Sequence, residues 1–130
     1  MPGEDREQGP RVLVPAPGRP FSRAVRAGGL VWLSGVTPPA DVIRHSPDDA
    51  GRQTEACLRR IQQTLEEAGL SLRHVARVTV YLARASDFEA MNAAYRGFFP
   101  SDPPARTTVV TGLVVPQALV EIEAVAAPDP

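Results

Sequence analysis

The residues best suited to chemistry lie in the last third of the chain, in the segment PPARTTVVTGLVVPQALVEIEAVA at positions 103–126. Arg106 stands at the start of one predicted strand, and Glu121 and Glu123 lie within the next. Successive side chains of a strand point to opposite faces, so the two glutamates share a face. Burying charged side chains in an apolar strand costs free energy unless they are paired, hydrated or bound to a ligand. An arginine fork and a carboxylate near one sheet edge would hold a small anion beside a water molecule.

These residues also have ordinary interpretations. Arg106 follows Pro103-Pro104-Ala105, which fixes where the strand begins, but a surface salt bridge fits the same pattern. Glu121 fits an exposed position at a sheet edge as well as it fits a site. The residues alone leave both interpretations open.

Composition indicates one globular domain and excludes several classes of function. The chain has 130 residues, 43% of them hydrophobic, and a formal net charge of −1. That charge gives no global basic field, so we expect neither a nucleic-acid partner nor a membrane partner. The N-terminal segment has neither the basic nor the apolar part of a signal peptide, and we expect a cytoplasmic protein.

The scarce reactive residue types narrow the chemistry further. All fourteen basic residues are arginine, so lysine-based Schiff-base chemistry is excluded. The single cysteine, Cys57, lies on a helical apolar stripe and is expected to be a buried, inert thiol. His45 and His74 have no partners at metal-ligand spacing and are interpreted as solvated. We therefore expect no metal site and no cofactor.

Hydrophobic periodicity and turn residues predict the elements. Residues 1–19 are interpreted as a flexible Pro/Gly-rich N-terminal tail with at most one edge strand, and residues 20–128 as the α+β domain. A helix is expected to start at Ser46-Pro47 and stop at Gly69. A second helix is expected to open with a capping box at 86–89 and to bury Phe88 and other apolar residues. Strands are predicted at 21–26, 30–34, 74–82, 107–115 and 119–126.

The predicted order β-β-α-β-α-β-β favours a single mixed β-sheet with two helices packed on one face. The other face would then be open, although it is expected to carry Val75, Tyr81, Leu119 and Val125. An open apolar face of this kind usually meets another copy of the same chain. We therefore expect an oligomer.

Several segments together resemble the Rid family, also called the YjgF/YER057c/UK114 family. The resemblance covers about residues 20–127. The matching segments are FSRAV at 21–25, LSG at 33–35, DFEAMN at 87–92, YRGFF at 95–99, PARTTV at 104–109 and VEIEA at 120–124.

The resemblance implies a chorismate-mutase-like fold and a homotrimer with its sites in clefts between subunits. It also implies cofactor-independent hydrolysis of a reactive enamine or imine acid to a keto acid and ammonia. Arg106 would hold the substrate carboxylate, and Glu121 would position or activate the attacking water. The remaining matched positions would line the substrate-binding pocket: Phe21, Ser34, Gly35, Asn92 and Thr108.

This sequence departs from the family's pattern near the expected pocket. Active members commonly carry tyrosine at the position of Phe21 and glutamine at that of Val36, and both changes make the pocket more apolar. The segment at 40–45 replaces a glycine-containing loop. Three alternatives stay open: a non-catalytic trimer that binds a small carboxylate, a biosynthetic enzyme for a larger apolar substrate, and a ribonuclease.

Overall fold

The computed structural model describes residues 9–130 and contains one six-stranded mixed sheet. The predicted α+β class, with two main helices against a single sheet, is confirmed. In chain order the strands and helices are β1 (Arg11–Val14), β2 (Ala24–Ala27), β3 (Leu30–Val36), α1 (Ala40–His45), α2 (Ala50–Glu67), β4 (Val75–Leu82), α3 (Phe88–Phe98), β5 (Ala105–Val110) and β6 (Val120–Ala126). No helix among the described residues is long and apolar enough to cross a bilayer.

The strand order across the sheet is β1-β2-β3-β6-β4-β5. Only β4 and β5 pair in parallel, and α3 forms the crossover between them. The other neighbours are antiparallel. β2 and β3 form the expected hairpin, in which Gly28 and Gly29 have φ values of 62° and 76°. Two consecutive positive φ angles suit a tight hairpin turn, and glycine adopts them without a steric penalty.

The core lies between the sheet and the two long helices. The predicted stripe on α2 is buried, with Cys57, Leu58, Ile61 and Leu65 each at most 1% exposed. Gly69 follows the helix with a φ of 79°, and the N–H of Leu70 bonds back to the carbonyl of Leu65. This arrangement is a Schellman C-terminus, as the glycine predicted.

The first long helix begins later than predicted. Asp49 is its N-cap, and the Asp49 side chain accepts a hydrogen bond from the N–H of Arg52. Ser46 instead ends α1, a short helix where the sequence indicated only a loop. The predicted start was wrong because two capping candidates lie three residues apart, and Pro47 made the earlier one look stronger.

The second long helix also starts differently. A 3₁₀ turn at Ala85–Asp87 precedes α3, and no side-chain cap forms. The Asp87 carboxylate is held instead by the guanidinium of Arg84, with Nε–Oδ2 at 2.8 Å and Nη2–Oδ1 at 3.1 Å. The predicted capping box is therefore wrong, because Ser86 lies in the 3₁₀ turn and the N-cap is Asp87, whose carboxylate bonds Arg84 instead of a helix N–H.

A β-bulge corrects the faces predicted for β4. The register with β6 shifts between Val75 and Arg77, so Val75 is buried and Ala76 is exposed, the reverse of strict alternation. Leu119 is also buried rather than on the open face. Alternation fails here because the extra residue of a bulge reverses the orientation of what precedes it.

The sheet extends into the segment predicted as a tail. Arg11–Val14 forms the edge strand allowed for there, and Val14 belongs to the core. Residues 1–8 of that segment lie outside the described residues. At the other end, β5 stops at Val110 rather than near 115, and Gln117 adopts a φ of 67° in the connection to β6. The predicted division between tail and domain stays a prediction.

Candidate active site

Arg106 lies on β5 and points to the helix side of the sheet. Its neighbour across the parallel ladder is the buried Val78, and its guanidinium carbon lies 4.6 Å from the ring centre of Tyr95 and 5.8 Å from that of Phe88. Two rings on α3 therefore hold the cation through cation–π contacts. Arg106 has no carboxylate partner within residues 9–130. The salt bridge allowed by the sequence does not form there, and the guanidinium fork keeps its donors for another group.

Phe88 was predicted to point inward, but it is 42% exposed. Phe88, Asn92 and Tyr95 follow one another at spacings of four and three, so they share one face of α3. Phe88 begins that face beside Arg106, at the margin of the core rather than inside it. The helical spacing was a usable signal, but it cannot tell a core residue from one that borders a site.

Asn92 and Thr108 accompany Arg106. Asn92 is half-buried on the same face of α3 as the two rings, and the half-buried Thr108 lies two residues beyond Arg106 on the same face of β5. We call these three residues the Arg106 group. They combine a guanidinium fork, an amide and a hydroxyl, which are all able to donate hydrogen bonds to a carboxylate.

The Tyr95 hydroxyl lies within the same region. Tyr95 is 5% exposed, and its buried oxygen has no hydrogen-bond partner among the described residues. Burial raises the pKa of Tyr95, while the nearby charge of Arg106 opposes that rise. The phenol therefore stays protonated at neutral pH and is an available donor.

Glu121 lies on the opposite face of the sheet, across from Tyr81 of β4. An added Cβ on Gly35 would meet the Glu121 carboxylate oxygen Oε2 at 2.5 Å, so the carboxylate occupies the space where a side chain would stand. Glu123, on the same face, accepts a hydrogen bond from the Tyr81 hydroxyl. That bond raises the pKa of Tyr81. One glutamate of the pair is therefore engaged with a phenol, and the other lies over a glycine.

Phe21, Ser34 and Gly35 line a cleft of about 510 Å³ between the β3 end and α2. The Ser34 hydroxyl donates to the carbonyl of Ser22 at 2.6 Å, which ties β3 to the segment before β2. We call Phe21, Ser34, Gly35 and Glu121 the Glu121 group. A bulge between Leu33 and Val36 places Gly35 at the surface beside the carboxylate.

A single chain does not bring the two groups together. β4 separates β5 from β6, which puts about 10 Å between their axes at the usual strand spacing. The side chains also point to opposite faces, since Arg106 is beside Val78 and Glu121 is beside Tyr81, three residues later on the same strand. The expected pair near one sheet edge is therefore wrong for the isolated chain, because β6 is an internal strand.

Sequence reasoning missed two arginines of the cleft. Arg60 of α2 lines the cleft and donates from Nη1 to the carbonyl of Thr37 at 3.0 Å. Arg19 lines it from the loop before β2. No local pattern marks either residue, because only the packing of α2 beside that loop brings them near each other.

Cys57 and the histidines take no part in either group. Cys57 is buried, and burial raises the pKa of its thiol. Both observations agree with the expected buried, inert thiol. His45 is exposed. His74 is not solvated as expected, because its ring accepts from the N–H of Ser71 at 3.1 Å and lies 3.1 Å from Asp129. No group of three or more metal-binding side chains occurs in the part of the chain that the structure describes.

Comparison with known sequences gives consistent matches. The family model described as Endoribonuclease L-PSP matches residues 13–128. A protein named 3-aminoacrylate deaminase RutC, from Acinetobacter baylyi, is 38% identical over 115 residues, covering 86% of this chain and 90% of the relative. A RutC family protein of Pyrococcus horikoshii is 36% identical over 116 residues, with coverage of 86% and 90%.

Comparison with solved structures gives the same fold. A member of the YjgF/YER057c/UK114 family from Mycobacterium tuberculosis matches with a TM-score of 0.78 and 31% identity, covering 92% of this chain and 100% of that one. A YjgF family protein from Neisseria meningitidis matches with a TM-score of 0.80 and 30% identity, with coverage of 93% and 96%. The names of the relatives include both a deaminase and endoribonucleases.

Proposed function

Because this chain belongs to the YjgF/YER057c/UK114 (Rid) family, we propose that it hydrolyses reactive 2-imino and enamine acids to 2-keto acids and ammonia. One observation carries the proposal: Arg106 is held over two aromatic rings and has no carboxylate partner within residues 9–130. A half-buried guanidinium without a carboxylate partner in residues 9–130 suits a substrate carboxylate. The relative named 3-aminoacrylate deaminase supports the reaction class.

The site would be assembled between subunits of a homotrimer. The Arg106 and Glu121 side chains lie on opposite faces of one sheet, so one copy would supply Arg106 and its neighbour Glu121. The open face carries Val12, Val25, Trp32 and Val125, which are linked in register across four strands. Trp32 is 48% exposed in the single chain. An apolar row of this kind supports burial against a second copy.

Arg106 would fix the substrate through its carboxylate. A guanidinium binds a carboxylate with two parallel hydrogen bonds, which sets the orientation as well as the position of the ligand. Phe88 and Tyr95 would keep that fork in place, because cation–π contacts hold it from the sides and leave its edge free. The imine carbon, one bond away from the carboxylate, is then presented to the Glu121 group.

Glu121 would act on the attacking water. Its carboxylate accepts a proton as the water oxygen bonds to the imine carbon, which gives a tetrahedral carbinolamine. Return of that proton to nitrogen completes the carbinolamine amine. A second transfer through the same carboxylate moves the carbinolamine hydroxyl proton to nitrogen, so the carbon–nitrogen bond breaks and ammonia leaves as the keto group forms. One water is consumed for each imine, and no oxidant or reductant enters the balance. The chain supplies orientation and a charged pocket.

The first test removes the carboxylate anchor. Imines are generated in situ by amino-acid oxidases, and keto-acid release is followed with wild type and Arg106→Ala. We expect kcat/KM to fall about 10- to 100-fold, because the variant loses two hydrogen bonds from a charged group to the substrate carboxylate. Arg59→Ala is the matched control, since that guanidinium also stacks on a ring, Phe98 at 5.6 Å, but outside the site. Equal rates for wild type and Arg106→Ala would contradict the anchor.

The second test separates catalysis from binding. Glu121→Gln should lower kcat by about 10²- to 10⁴-fold, as expected for loss of a general base. Binding of the keto-acid product through Arg106 should survive. Glu123→Gln, on the same face, is the control and should keep most of the activity.

The open alternatives make different predictions in the same assays. A carboxylate-binding trimer would bind the keto acid and accelerate no imine in the panel. A biosynthetic enzyme with a larger apolar substrate would hydrolyse leucine- or phenylalanine-derived imines better than the alanine-derived one. A ribonuclease would bind RNA with an affinity that falls steeply with salt.

A further inference from the structure

Two neighbouring clefts are lined by arginine side chains and share two of them. The first is the 510 Å³ cleft that contains Phe21, Ser34 and Gly35. The second, of about 840 Å³, lies between α1 and the residues around Pro116. Arg19 and Arg60 line both clefts, and no aspartate or glutamate lines either.

This distribution of charge differs from that of the whole chain. Fifteen acids outnumber fourteen arginines overall, yet four arginines and no acids line the two clefts. Like charges gathered in a concave surface reinforce one another and raise the local concentration of anions. Glu67 offsets the charge of Arg23, and Glu121 lies beside Gly35 at one end of the first cleft, so the uncompensated positive charge lies at Arg19, Arg44 and Arg60.

Of the four arginines, Arg23 is the one with an ion pair within residues 9–130, whereas Arg19, Arg44 and Arg60 have none there. Arg23 is engaged, with Nη2 2.7 Å from Glu67 and 2.7 Å from the Thr64 hydroxyl. Among residues 9–130, Arg60 makes one hydrogen bond, to the carbonyl of Thr37. The Arg19 side chain has no partner within the described part of the chain. Arg19 and Arg60 therefore present most of their guanidinium donors to whatever enters the clefts.

The two arginines are continuous with the candidate active site. The first cleft contains three members of the Glu121 group, and its apolar wall includes Leu33, Val36 and Ile61. A ligand that reaches Glu121 by way of Gly35 would extend over this apolar wall toward Arg19 and Arg60. The cleft thus offers an apolar spacer region followed by a cationic end.

We infer that the preferred substrate is an imino or enamine acid with a second, distal carboxylate, which Arg19 and Arg60 bind. The inference rests on the proposed function and adds to it the charge of the substrate's side chain. The 2-carboxylate would bind Arg106 of the adjacent subunit. The carbon chain of the substrate would then lie against Val36 and carry the distal carboxylate to Arg19 and Arg60. Guanidinium forks suit a carboxylate, since they stay charged and bond in pairs.

The test compares two imines of nearly equal volume that differ by one charge, those of glutamate and glutamine. Keto-acid release is measured at limiting oxidase and corrected for spontaneous hydrolysis. We expect kcat/KM for the glutamate imine to exceed that for the glutamine imine about 10- to 100-fold. The double variant Arg19→Gln/Arg60→Gln should reduce this ratio at least about tenfold. Arg59→Gln, the neighbour on α2 outside both clefts, should leave the ratio unchanged.

Direct binding keeps the inference testable without turnover. Glutarate, butyrate and inorganic phosphate are titrated calorimetrically into wild type and the double variant. Tighter binding of glutarate than of butyrate, lost in the double variant, supports the distal carboxylate site. Phosphate binding that depends on Arg19 and Arg60, with no glutarate preference, would overturn the choice of carboxylate.

The outcomes separate this inference from the proposed function. Equal acceleration of both imines would overturn the distal carboxylate while the deaminase stands. If neither imine is accelerated, the proposed function fails for these substrates, and the glutarate titration alone decides whether the anion site exists. Equal glutarate affinity in wild type and the double variant would then overturn it.

Discussion

At the level of single residues, the position of the Glu121 carboxylate depends on the missing side chain at Gly35. Gly35 has no positive φ angle, so its backbone does not require glycine. What requires glycine is space, because the carboxylate oxygen stands 2.5 Å from where a Cβ would be. Gly35 is therefore a positioning residue for Glu121 rather than a turn residue.

Gly35→Ala should separate activity from stability. The new methyl group would displace the flexible end of Glu121, so we expect imine turnover to fall at least about tenfold while the free energy of unfolding changes by about 1 kcal/mol or less. Turnover and denaturant unfolding are measured on the same preparation. An alanine variant with unchanged kcat would show that the present position of the carboxylate is irrelevant to the reaction.

Arg106 illustrates what a residue pattern can and cannot indicate. The resemblance selected it by its motif, and the structure shows a cation held by Phe88 and Tyr95. The helical spacing of these rings was readable from the sequence. Their closeness to a strand residue eleven positions beyond Tyr95 was not, because the crossover from α3 to β5 decides it.

At the level of elements, α3 links the core to the candidate site. Met91 and Tyr95 pack into the core, while the rings of Phe88 and Tyr95 contact Arg106. A displacement of α3 would therefore move core residues and the rings beside Arg106 together. Gly97, near its C-terminal end, has no Cβ neighbour within 4 Å and no positive φ.

Two glycine-to-alanine changes at helix ends should have opposite signs. Gly97→Ala lies inside α3 and should stabilise the protein by about 0.5–1 kcal/mol, because alanine loses less backbone entropy on folding. Gly69→Ala should destabilise it by about 1 kcal/mol, because the φ of 79° after α2 is strained for any residue with a Cβ. Chemical denaturation at one protein concentration measures both. If both variants changed the free energy of unfolding in the same direction, the positions assigned to Gly97 within α3 and to Gly69 after α2 would be contradicted.

At the level of the whole molecule, the open face of the sheet supports the proposal that the site is shared between two subunits. Trp32 and Val125 are direct neighbours across β3 and β6, and Val25 extends the row on the other side of Trp32. Glu121 lies on this same face, whereas Arg106 lies on the other. A second copy packed on the face would cover the apolar row and could complete the site in the same step.

Trp32→Glu should therefore dissociate the proposed trimer. A buried tryptophan commonly contributes about 2 kcal/mol or more to an interface, and a charge in its place would also be desolvated. We expect sedimentation to give a lower mass, with secondary structure retained and imine turnover lost. Val114→Glu is the control, because that side chain is 95% exposed in a loop. An unchanged mass for the tryptophan variant would place the subunit interface elsewhere.

The sequence by itself determined the class of the fold and most of its elements. Period-two and period-three-to-four patterns reflect which face is buried, so the hairpin, the α2 stripe and the Gly69 stop were predictable. The first residues of the helices were less predictable. Ser46 and Asp49 are both suitable N-caps for α2, and the Asp87 side chain forms an ion pair with Arg84 instead of capping α3. The bulge at Val75 depends on its register with β6, which local pattern does not contain.

Only the tertiary structure decided how the candidate site is divided. The matched motifs named Arg106 and Glu121 in chain order, but the strand order places β4 between their strands and turns them to opposite faces. The same packing brings Arg19 from a loop to Arg60 on α2, far apart in sequence. Motifs depend on residue identity and spacing, whereas the meeting of distant side chains depends on strand order and on the faces that pack together.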